Sequence, residues 1–419
     1  MKTSLAALRN PTFLRLWIAS VISGTCVAAH DNATTYLMNT LVTSPFLVSL
    51  ISTAAALPFL LFTLPAGALA DKVNRKTLVW VINLWLALAA AVWAILAWAH
   101  LLNPCLVLCG VFLLGVGFAF NAPTWTSMVP EIVSDAELPS AATLSGLQLN
   151  ISGIIGPALG GLLVPLIGAN LVFLANSAGF LLVTASILQW KQPEAMSKAP
   201  AARHWSLANA TRYLRCSREL QILLVRNFLF ALFISAIPAV VPIFGLKVLH
   251  FNSSDLGLLF TSIGAGSVVA ALFIIPRLRA CFSPNALTVL ANLITVVVYL
   301  LLGLIRQAEL FLLVAALAGV GWTISASELW VAAQRAIPDR VRGRMNATIM
   351  MVSQGGMVVG GLIWSGLLAI ISPGSTLFTA GGLILISLLL YVPLSINFTA
   401  GVSLTPSTLG QPKTCGDLS

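Results

Sequence analysis

Long apolar runs make up most of the chain, and short polar stretches separate them. Twelve of these runs are long enough to cross a bilayer, because a hydrocarbon core of about 30 Å takes about 20 residues of helix. The predicted spans are residues 13–39, 46–70, 78–100, 104–127, 141–166, 169–190, 220–249, 255–276, 285–305, 308–334, 345–371 and 373–394. The pattern predicts an all-α polytopic membrane protein with twelve transmembrane helices.

Composition and charge add an orientation to this prediction. Of all residues, 58% are hydrophobic and only 8% are charged. If the N-terminus is cytoplasmic, all of the 22 Lys and Arg residues except Lys247 and Arg306 fall on the cytoplasmic side. Because this bias sets membrane topology, both termini are expected in the cytoplasm. The net charge of +10 then reflects topology and anionic lipid headgroups, and no nucleic-acid partner is expected.

The chain divides into two similar halves. The longest polar stretch predicts a linker at 191–219 between bundles at 1–190 and 220–394, followed by a tail at 395–419. Glycine patterns recur in equivalent spans: 156–161 resembles 356–361, and 115–117 resembles 319–321. Parallel repeats of six spans are typical of one large class of secondary transporters, whose binding site lies between the halves.

The sequence offers no chemistry typical of an enzyme or a metalloprotein. It has no nucleophile–base set, metal-binding cluster or phosphate-binding loop. Cys105 and Cys109 share one face of the fourth span, but positions four apart on a helix are poorly placed to form a disulfide. The six cysteines are therefore interpreted as small apolar residues. We expect no cofactor, no metal and no enzymatic activity.

The turn between spans 2 and 3 carries the most specific motif, Gly67-Ala-Leu-Ala-Asp71-Lys-Val-Asn74-Arg75-Lys76. It resembles the G-x-x-x-D-[RK]-x-G-[RK]-[RK] signature of the major facilitator superfamily and departs from it only at Asn74. A helix N-terminus favours an anion, so we expect the Asp71 carboxylate to meet the start of span 11 and to lock the halves on the cytoplasmic side. The alternative is that Asp71 only caps and solvates the loop.

Span 5 carries a second motif, built on Gly153, Gly156, Pro157, Gly160 and Gly161. It resembles the antiporter signature of the drug-export branches of that superfamily. Small residues at this spacing let helices approach closely, and proline frees a backbone carbonyl. The alternative is the ordinary packing of small residues found in many membrane helices.

Further stretches resemble the bacterial exporters that include the enterobactin and macrolide efflux proteins. They are 13–17, 57–67, 121–125, 321–322, 333–338 and 342–344, and the resemblance covers residues 10–390. It implies a major facilitator fold of two pseudo-symmetric six-helix bundles in the bacterial inner membrane. Separately, we expect the protein to be a monomer. Other drug–proton antiporters of the superfamily have an arginine near Val111 or Phe112, so proton coupling through that position is not implied.

In this superfamily spans 1, 4, 7 and 10 line the central cavity, which directs attention to a few polar residues. Ionisable groups inside a membrane are costly and are functional candidates for that reason. Asp31 and Glu328 are the main candidates for proton coupling or substrate binding, at depths that differ by about 16 Å. His30 is more plausible as a structural residue. The other candidates are Arg226, Asn121, Thr124 and Ser325.

These features together predict a secondary active exporter. It would move a small amphipathic organic molecule, such as a drug, siderophore or secondary metabolite, outward by alternating access in exchange for protons. Two carboxylates in an apolar cavity favour a cationic or neutral substrate over an anionic one. The alternatives are an uptake symporter on the same fold and a non-transporting membrane receptor or assembly factor.

Overall fold

The computed structural model describes residues 6–70, 72–134, 136–191, 218–337 and 342–391, and every long element within them is a helix. The first half contains α1 (Pro11–Leu41), α2 (Pro45–Ala70), α3 (Arg75–Trp98), α4 (Pro104–Ile132), α5 (Leu138–Ile167) and α6 (Ala169–Leu188). The second half contains α7 (Arg218–Ile234 and Ala236–Lys247), α8 (Ser253–Val269, Ala270–Ile274 and Ile275–Cys281), α9 (Pro284–Leu304), α10 (Ala308–Ala336), α11 (Arg342–Leu368) and α12 (Pro373–Tyr391).

These helices confirm the predicted fold class. Within the described ranges, eleven helices are long and apolar enough to span a membrane, and α12 carries a shorter apolar stretch, Pro373–Leu389. Exposed leucine, isoleucine and valine side chains are spread along the helices, as a lipid environment requires. Most of the predicted linker and the whole predicted tail lie outside the described residues.

The seventh span is not one continuous helix, as the sequence pattern had suggested. It is interrupted at Ser235, three residues before Pro238, which has no N–H to continue the helical hydrogen bonds. Side chains of neighbouring helices bind the carbonyl groups at the interruption. The indole of Trp364 on α11 donates to the Leu232 carbonyl at 2.9 Å, and the Tyr299 hydroxyl on α9 donates to the Phe233 carbonyl at 2.9 Å.

The eighth span contains a π-helical segment, Ala270–Ile274. Its register is marked by the hydrogen bond from the Ile275 amide to the Ala270 carbonyl, five residues back. Pro276 follows directly and lacks an N–H for the carbonyl four residues before it, which accounts for the local change of register. The helix then continues to Cys281, five residues beyond the predicted end of the span.

Packing follows the predicted pseudo-symmetry. In the first half α1 packs on α5 and α6, and α3 packs on α4 and α6; in the second half α7 packs on α11, and α10 packs on α8 and α9. Two helix pairs form most of the contact between the halves, α2 with α11 and α5 with α8. A two-fold rotation that exchanges the halves exchanges these two pairs.

The two ends of the bundle differ in charge and in the hydrogen bonds that join the halves. We call the end where α1 begins the basic end, since most of the described Lys and Arg residues lie there, and the other the opposite end. Among the described residues, four hydrogen bonds join the halves, and all lie at mid-depth or towards the opposite end: Lys247–Val42, Ser49–Ser365, Ser254–Gly161 and Thr261–Ile154. In the described part of the chain, the hydrogen bonds that hold the halves together are therefore concentrated at mid-depth and at the opposite end.

Candidate substrate and coupling site

Asp31 lies on the face of α1 that neither neighbouring helix covers. One flank of α1 packs on α5, where a Cβ at Gly156 would lie 2.6 Å from the Thr25 carbonyl oxygen, and the other flank places His30 against α3 and α6. Asp31 is between these flanks, on the side opposite the exposed Ile22. Its carboxylate is exposed and has no hydrogen-bond or ion-pair partner among the described residues. This carboxylate is therefore available to a ligand or a proton.

A groove in the second half forms an apolar wall between α7, α10 and α11. Its volume is about 250 Å³. Aromatic and thioether side chains dominate its lining: Phe230, Trp322, Trp330, Met350 and Met357. Trp322, Ala326 and Trp330 recur every four residues on α10, which places them on one face.

The polar edge of this groove is small and uncharged. It consists of Asn227, Ser353 and Gln354. The Trp330 side chain is 46% exposed, which leaves much of its indole surface accessible. Such a groove suits flat or branched apolar groups, with a few hydrogen bonds to fix their orientation.

Glu328 does not face the groove, contrary to the expectation from the sequence. It is 3% exposed, and its Oε1 accepts a hydrogen bond from the Arg279 guanidinium on α8 at 2.8 Å. Arg279 also donates to the Ser327 hydroxyl at 2.9 Å. The polar face of α10 that was expected to line the cavity is turned towards α9 and the end of α8, since a Cβ at Gly321 would lie 2.7 Å from the Thr295 hydroxyl.

Three more predicted cavity residues are buried within their own halves. Ser325 and Thr124 are both 0% exposed, and the Thr124 hydroxyl donates to the Phe120 carbonyl of its own helix. Arg226 is 2% exposed and donates to the Asn285 side chain at the start of α9 at 2.7 Å. Their helices were identified correctly, but the side chains point into the packing between helices of one half.

Asn121 is only partly buried and lies where α4 meets α3. The Asn83 amide donates to the Asn121 side-chain oxygen at 3.4 Å and to the Val79 carbonyl at 2.9 Å. Asn121 thus connects two helices of the first half while keeping part of its surface accessible. Its predicted contact with substrate stays a prediction.

His30 occupies an aromatic core between α1, α3 and α6. Its ring centroid lies 4.7 Å from that of Trp93 and 4.4 Å from that of Phe173. Its side chain is 1% exposed. This position agrees with the structural role expected from the sequence.

The glycines of the span 5 motif make two different contacts. Gly156 and Gly160 pack on α1, where a Cβ at Gly160 would lie 2.6 Å from the Ala29 carbonyl oxygen. Gly161 instead faces α8 of the other half, 2.8 Å from the Ser253 carbonyl oxygen by the same measure. Beside it, the Pro157 carbonyl lies against Gly257 of α8. The motif therefore allows close contact both within the first half and between the halves.

The repeat in α11 makes the equivalent contacts. Gly356 and Gly360 pack on α7, at Phe228 and Leu232, and Gly361 packs on Thr53 of α2 in the other half. The sequence repeat thus corresponds to a repeated packing arrangement. In each half two glycines attach the helix to its own bundle, and the next glycine lies in the contact between the halves.

The contacts described for Arg75 and Lys76, in the charged turn between α2 and α3, lie within the first half. Arg75 forms an ion pair with Glu131 of α4 at 2.6 Å, and Lys76 donates to the Trp190 carbonyl at the end of α6 at 2.5 Å. Gly67 has open space where a side chain would be. Asp71 lies outside the described residues, so its predicted contact with the start of α11 stays a prediction.

Sequence reasoning missed the groove residues, although the sequence contained a usable signal. Trp322, Ala326 and Trp330 repeat at a spacing of four along α10, one helix face away from the polar residues that were chosen instead. In a soluble protein such a stripe would face the core. On a cavity helix of a transporter it can equally face the substrate.

Comparison with known proteins agrees with this architecture. The sequence matches the transmembrane secretion effector family over residues 2–414. Macrolide efflux protein A of Streptococcus pyogenes is 22% identical over 316 residues, which are 74% of this chain and 78% of that protein. Enterobactin exporter EntS of Citrobacter koseri is 25% identical over 395 residues, which are 91% of each protein.

A solved structure shows the same fold. The crystal structure of a bacterial homologue of the iron transporter ferroportin, in an inward-facing state, gives a TM-score of 0.73 at 13% identity and covers 92% of this chain and 99% of that one. The predicted resemblance and fold are thereby confirmed. The chain belongs to the transmembrane secretion effector family of the major facilitator superfamily, and it is a multi-pass membrane transporter of small molecules, not an enzyme.

Proposed function

We propose that this transporter exports a neutral or cationic amphiphile across the bacterial inner membrane in exchange for protons. The observation that carries the proposal is the exposed Asp31 carboxylate on α1, which has no partner among the described residues. The apolar, aromatic groove in the second half supports it. An amphiphile with a basic amine would place its apolar part in the groove and its charge near Asp31. The same carboxylate can hold a proton when substrate is absent.

The distribution of positive charge supports this substrate class. Within the described residues, basic side chains lie near the ends of the spans, except Arg226, which is buried against α9. A polyanionic substrate would need exposed cations in the cavity, because an uncompensated charge is costly away from water. A neutral or cationic molecule meets no such requirement. Among the substrates in the names of the relatives, this favours a macrolide over enterobactin.

The arrangement of the two halves supports alternating access. With the basic end in the cytoplasm, as the charge bias predicts, the position of the hydrogen bonds between the halves supports a cytoplasm-facing state closed on the outer side. Substrate would enter from the cytoplasm, and rocking of the halves about the α2–α11 and α5–α8 pairs would expose Asp31 to the outside. There a proton would replace the substrate on the carboxylate.

Transport in everted membrane vesicles tests the proposal. Vesicles with an acidic lumen are given ethidium, erythromycin or enterobactin, and the lumenal pH is recorded. We expect proton efflux with the first two compounds only. Proton efflux with enterobactin alone would contradict the proposed substrate class. Proton-dependent accumulation of a compound inside right-side-out vesicles, where export would deplete it, would instead support the uptake symporter.

A further inference from the structure

Two thiols near the start of α4 lie outside the transport site and on one face of the helix. Cys105 and Cys109 are both free and exposed, one helical turn apart. We infer that this pair binds one soft metal cation with a filled d shell, such as monovalent copper or silver, through two thiolates.

The separation of Cys105 and Cys109 on the helix is too long for a disulfide but suits a bridge through a metal ion. A disulfide needs Cβ atoms about 3.5–4.5 Å apart, whereas positions four apart on a helix hold them about 5–6 Å apart. A metal ion between the sulfurs lengthens the bridge, because each metal–sulfur bond adds about 2.3 Å in the zinc–thiolate case. Two such bonds join sulfurs up to about 4.6 Å apart without unwinding the helix.

The number of ligands selects the kind of metal. No group of three or more His, Cys, Asp or Glu residues in the described part of the chain is placed to hold a metal, so the pair provides only two ligands. A structural zinc site needs four ligands, and hard cations prefer oxygen. Soft thiolates instead select cations such as Cu(I), which accept low coordination numbers.

Binding is a simple exchange of protons for metal. Two S–H bonds break, two metal–sulfur bonds form and two protons pass to solvent, while the oxidation state of the metal does not change. The pair lies at the opposite end of the bundle, where the Asn103 side chain caps α4 through the Leu106 amide. The site is therefore separate from Asp31 and from the aromatic groove.

Silver binding to the full-length protein tests the inference. A background in which Cys26, Cys216, Cys281 and Cys415 are replaced by Ser retains only the pair. The matched control carries Cys109→Ser with Leu113→Cys in the same background. Its two thiols lie on the same exposed face, since Leu113 is 42% exposed, but they are about 12 Å apart along the helix.

Both proteins are dialysed against Ag(I) in the presence of 2-mercaptoethanol, and the bound silver is measured. We expect one ion per protein for the adjacent pair, held about 100-fold more tightly than in the control, because the second bond is intramolecular. Equal affinities, or two ions per protein with the adjacent pair, would overturn the inference. If the control does not fold, the single variant Cys109→Ser in the same background replaces it, with the same expectations.

Discussion

Asp31 and Glu328 are both carboxylates within membrane-spanning helices, yet their surroundings give them different capacities. Asp31 is exposed on α1 without a partner, whereas Glu328 is buried on α10 and bound by Arg279. A free carboxylate can exchange a proton or a cation in the conformation described. A bound one can do so only in a state in which its ion pair opens. The two residues therefore call for different tests.

For Asp31 we expect loss of proton coupling on removal of the charge. Asp31→Asn keeps the shape of the side chain but can no longer gain or lose a proton. Substrate-induced proton release from purified protein should disappear, and transport of a cationic substrate should fall at least tenfold, equivalent to about 1.4 kcal/mol. Asp31→Glu serves as the control and should retain release. Undiminished release from the Asp31→Asn protein would contradict the role proposed for Asp31.

For Glu328 the ion pair with Arg279 provides an internal comparison. The prediction that Glu328 carries a coupling proton requires Glu328→Gln to abolish proton-driven export while energy-independent substrate exchange survives. Arg279→Gln breaks the same pair but leaves the carboxyl group, so it should retain export. Transport and proton release are measured for both variants at matched expression. If both variants lose transport and proton release equally, the role of the ion pair is to hold α8 against α10.

For single residues, the sequence predicted which helix carries a residue more accurately than which face of that helix the residue occupies. Glu328, Ser325 and Gly321 form one polar face of α10, and either a cavity or a neighbouring helix could have accounted for it. Membrane helices use small and polar residues for packing as well as for substrate, so the pattern alone does not separate the two. Asp31 was chosen because an ionisable group inside a membrane is costly, and it lies on an exposed face of α1, but its predicted role in coupling or substrate binding stays a prediction.

Among the elements, α7 and α11 depend on each other at the interruption of α7. The Trp364 indole donates to the Leu232 carbonyl and to the Ser235 hydroxyl, and Gly360 lets α11 approach closely enough for this contact. Hydrophobic periodicity reports how long a span is. It does not report whether a neighbouring helix supplies donors to a broken one, so the interruption was not predicted. Predicted and observed span ends agree within a few residues elsewhere, for example 46–70 against Pro45–Ala70.

Trp364→Phe should therefore destabilise the second half. The substitution removes the N–H that binds two groups at the interruption. The Leu232 carbonyl keeps the hydrogen bond from the Ser235 hydroxyl, so we expect the cost of a lost hydrogen bond, about 0.5–1.5 kcal/mol. Thermal unfolding in detergent measures the effect. The matched control is Trp93→Phe, since the Trp93 indole is equally buried but its N–H has no partner among the described residues. A similar loss of stability in both variants would show that indole volume matters and the hydrogen bonds do not.

The glycines of α5 give a second prediction at the scale of elements. Gly156→Val or Gly160→Val should separate α5 from α1, because a Cβ added at either position would lie 2.6 Å from an α1 carbonyl oxygen, closer than van der Waals contact allows. We expect export to be lost while the protein still reaches the membrane. Gly146→Val on the same helix is the control, since a Cβ there meets no atom within 4 Å. Normal export by both Val variants would show that export does not require the small residues of this motif.

For the whole molecule, the hydrogen bonds between the halves make the state of the transporter measurable. The Ser49 hydroxyl on α2 donates to the Ser365 hydroxyl on α11 at 2.7 Å across the two halves. Ser49→Cys combined with Ser365→Cys, with the native cysteines replaced, should form a disulfide on oxidation and stop transport by preventing opening at this end. Reduction of the disulfide should restore transport. Ser49→Cys alone is the control, and continued transport by the fully crosslinked protein would show that this contact does not need to open.

The ion pairs have a consequence for how this molecule responds to salt. Both described pairs, Arg75–Glu131 and Arg279–Glu328, join helices of the same half, and the four described hydrogen bonds between the halves include no carboxylate. Mobile ions screen attraction between exposed charges, but they act little on partly buried ion pairs, neutral hydrogen bonds and glycine packing. Both described ion pairs are partly buried, and the bond from the Lys247 ammonium to the Val42 carbonyl is the one charged contact among the four between the halves. We therefore expect salt to shift the balance between inward and outward access only weakly, through Lys247, whereas occupancy of the Asp31 carboxylate changes a charge inside the molecule.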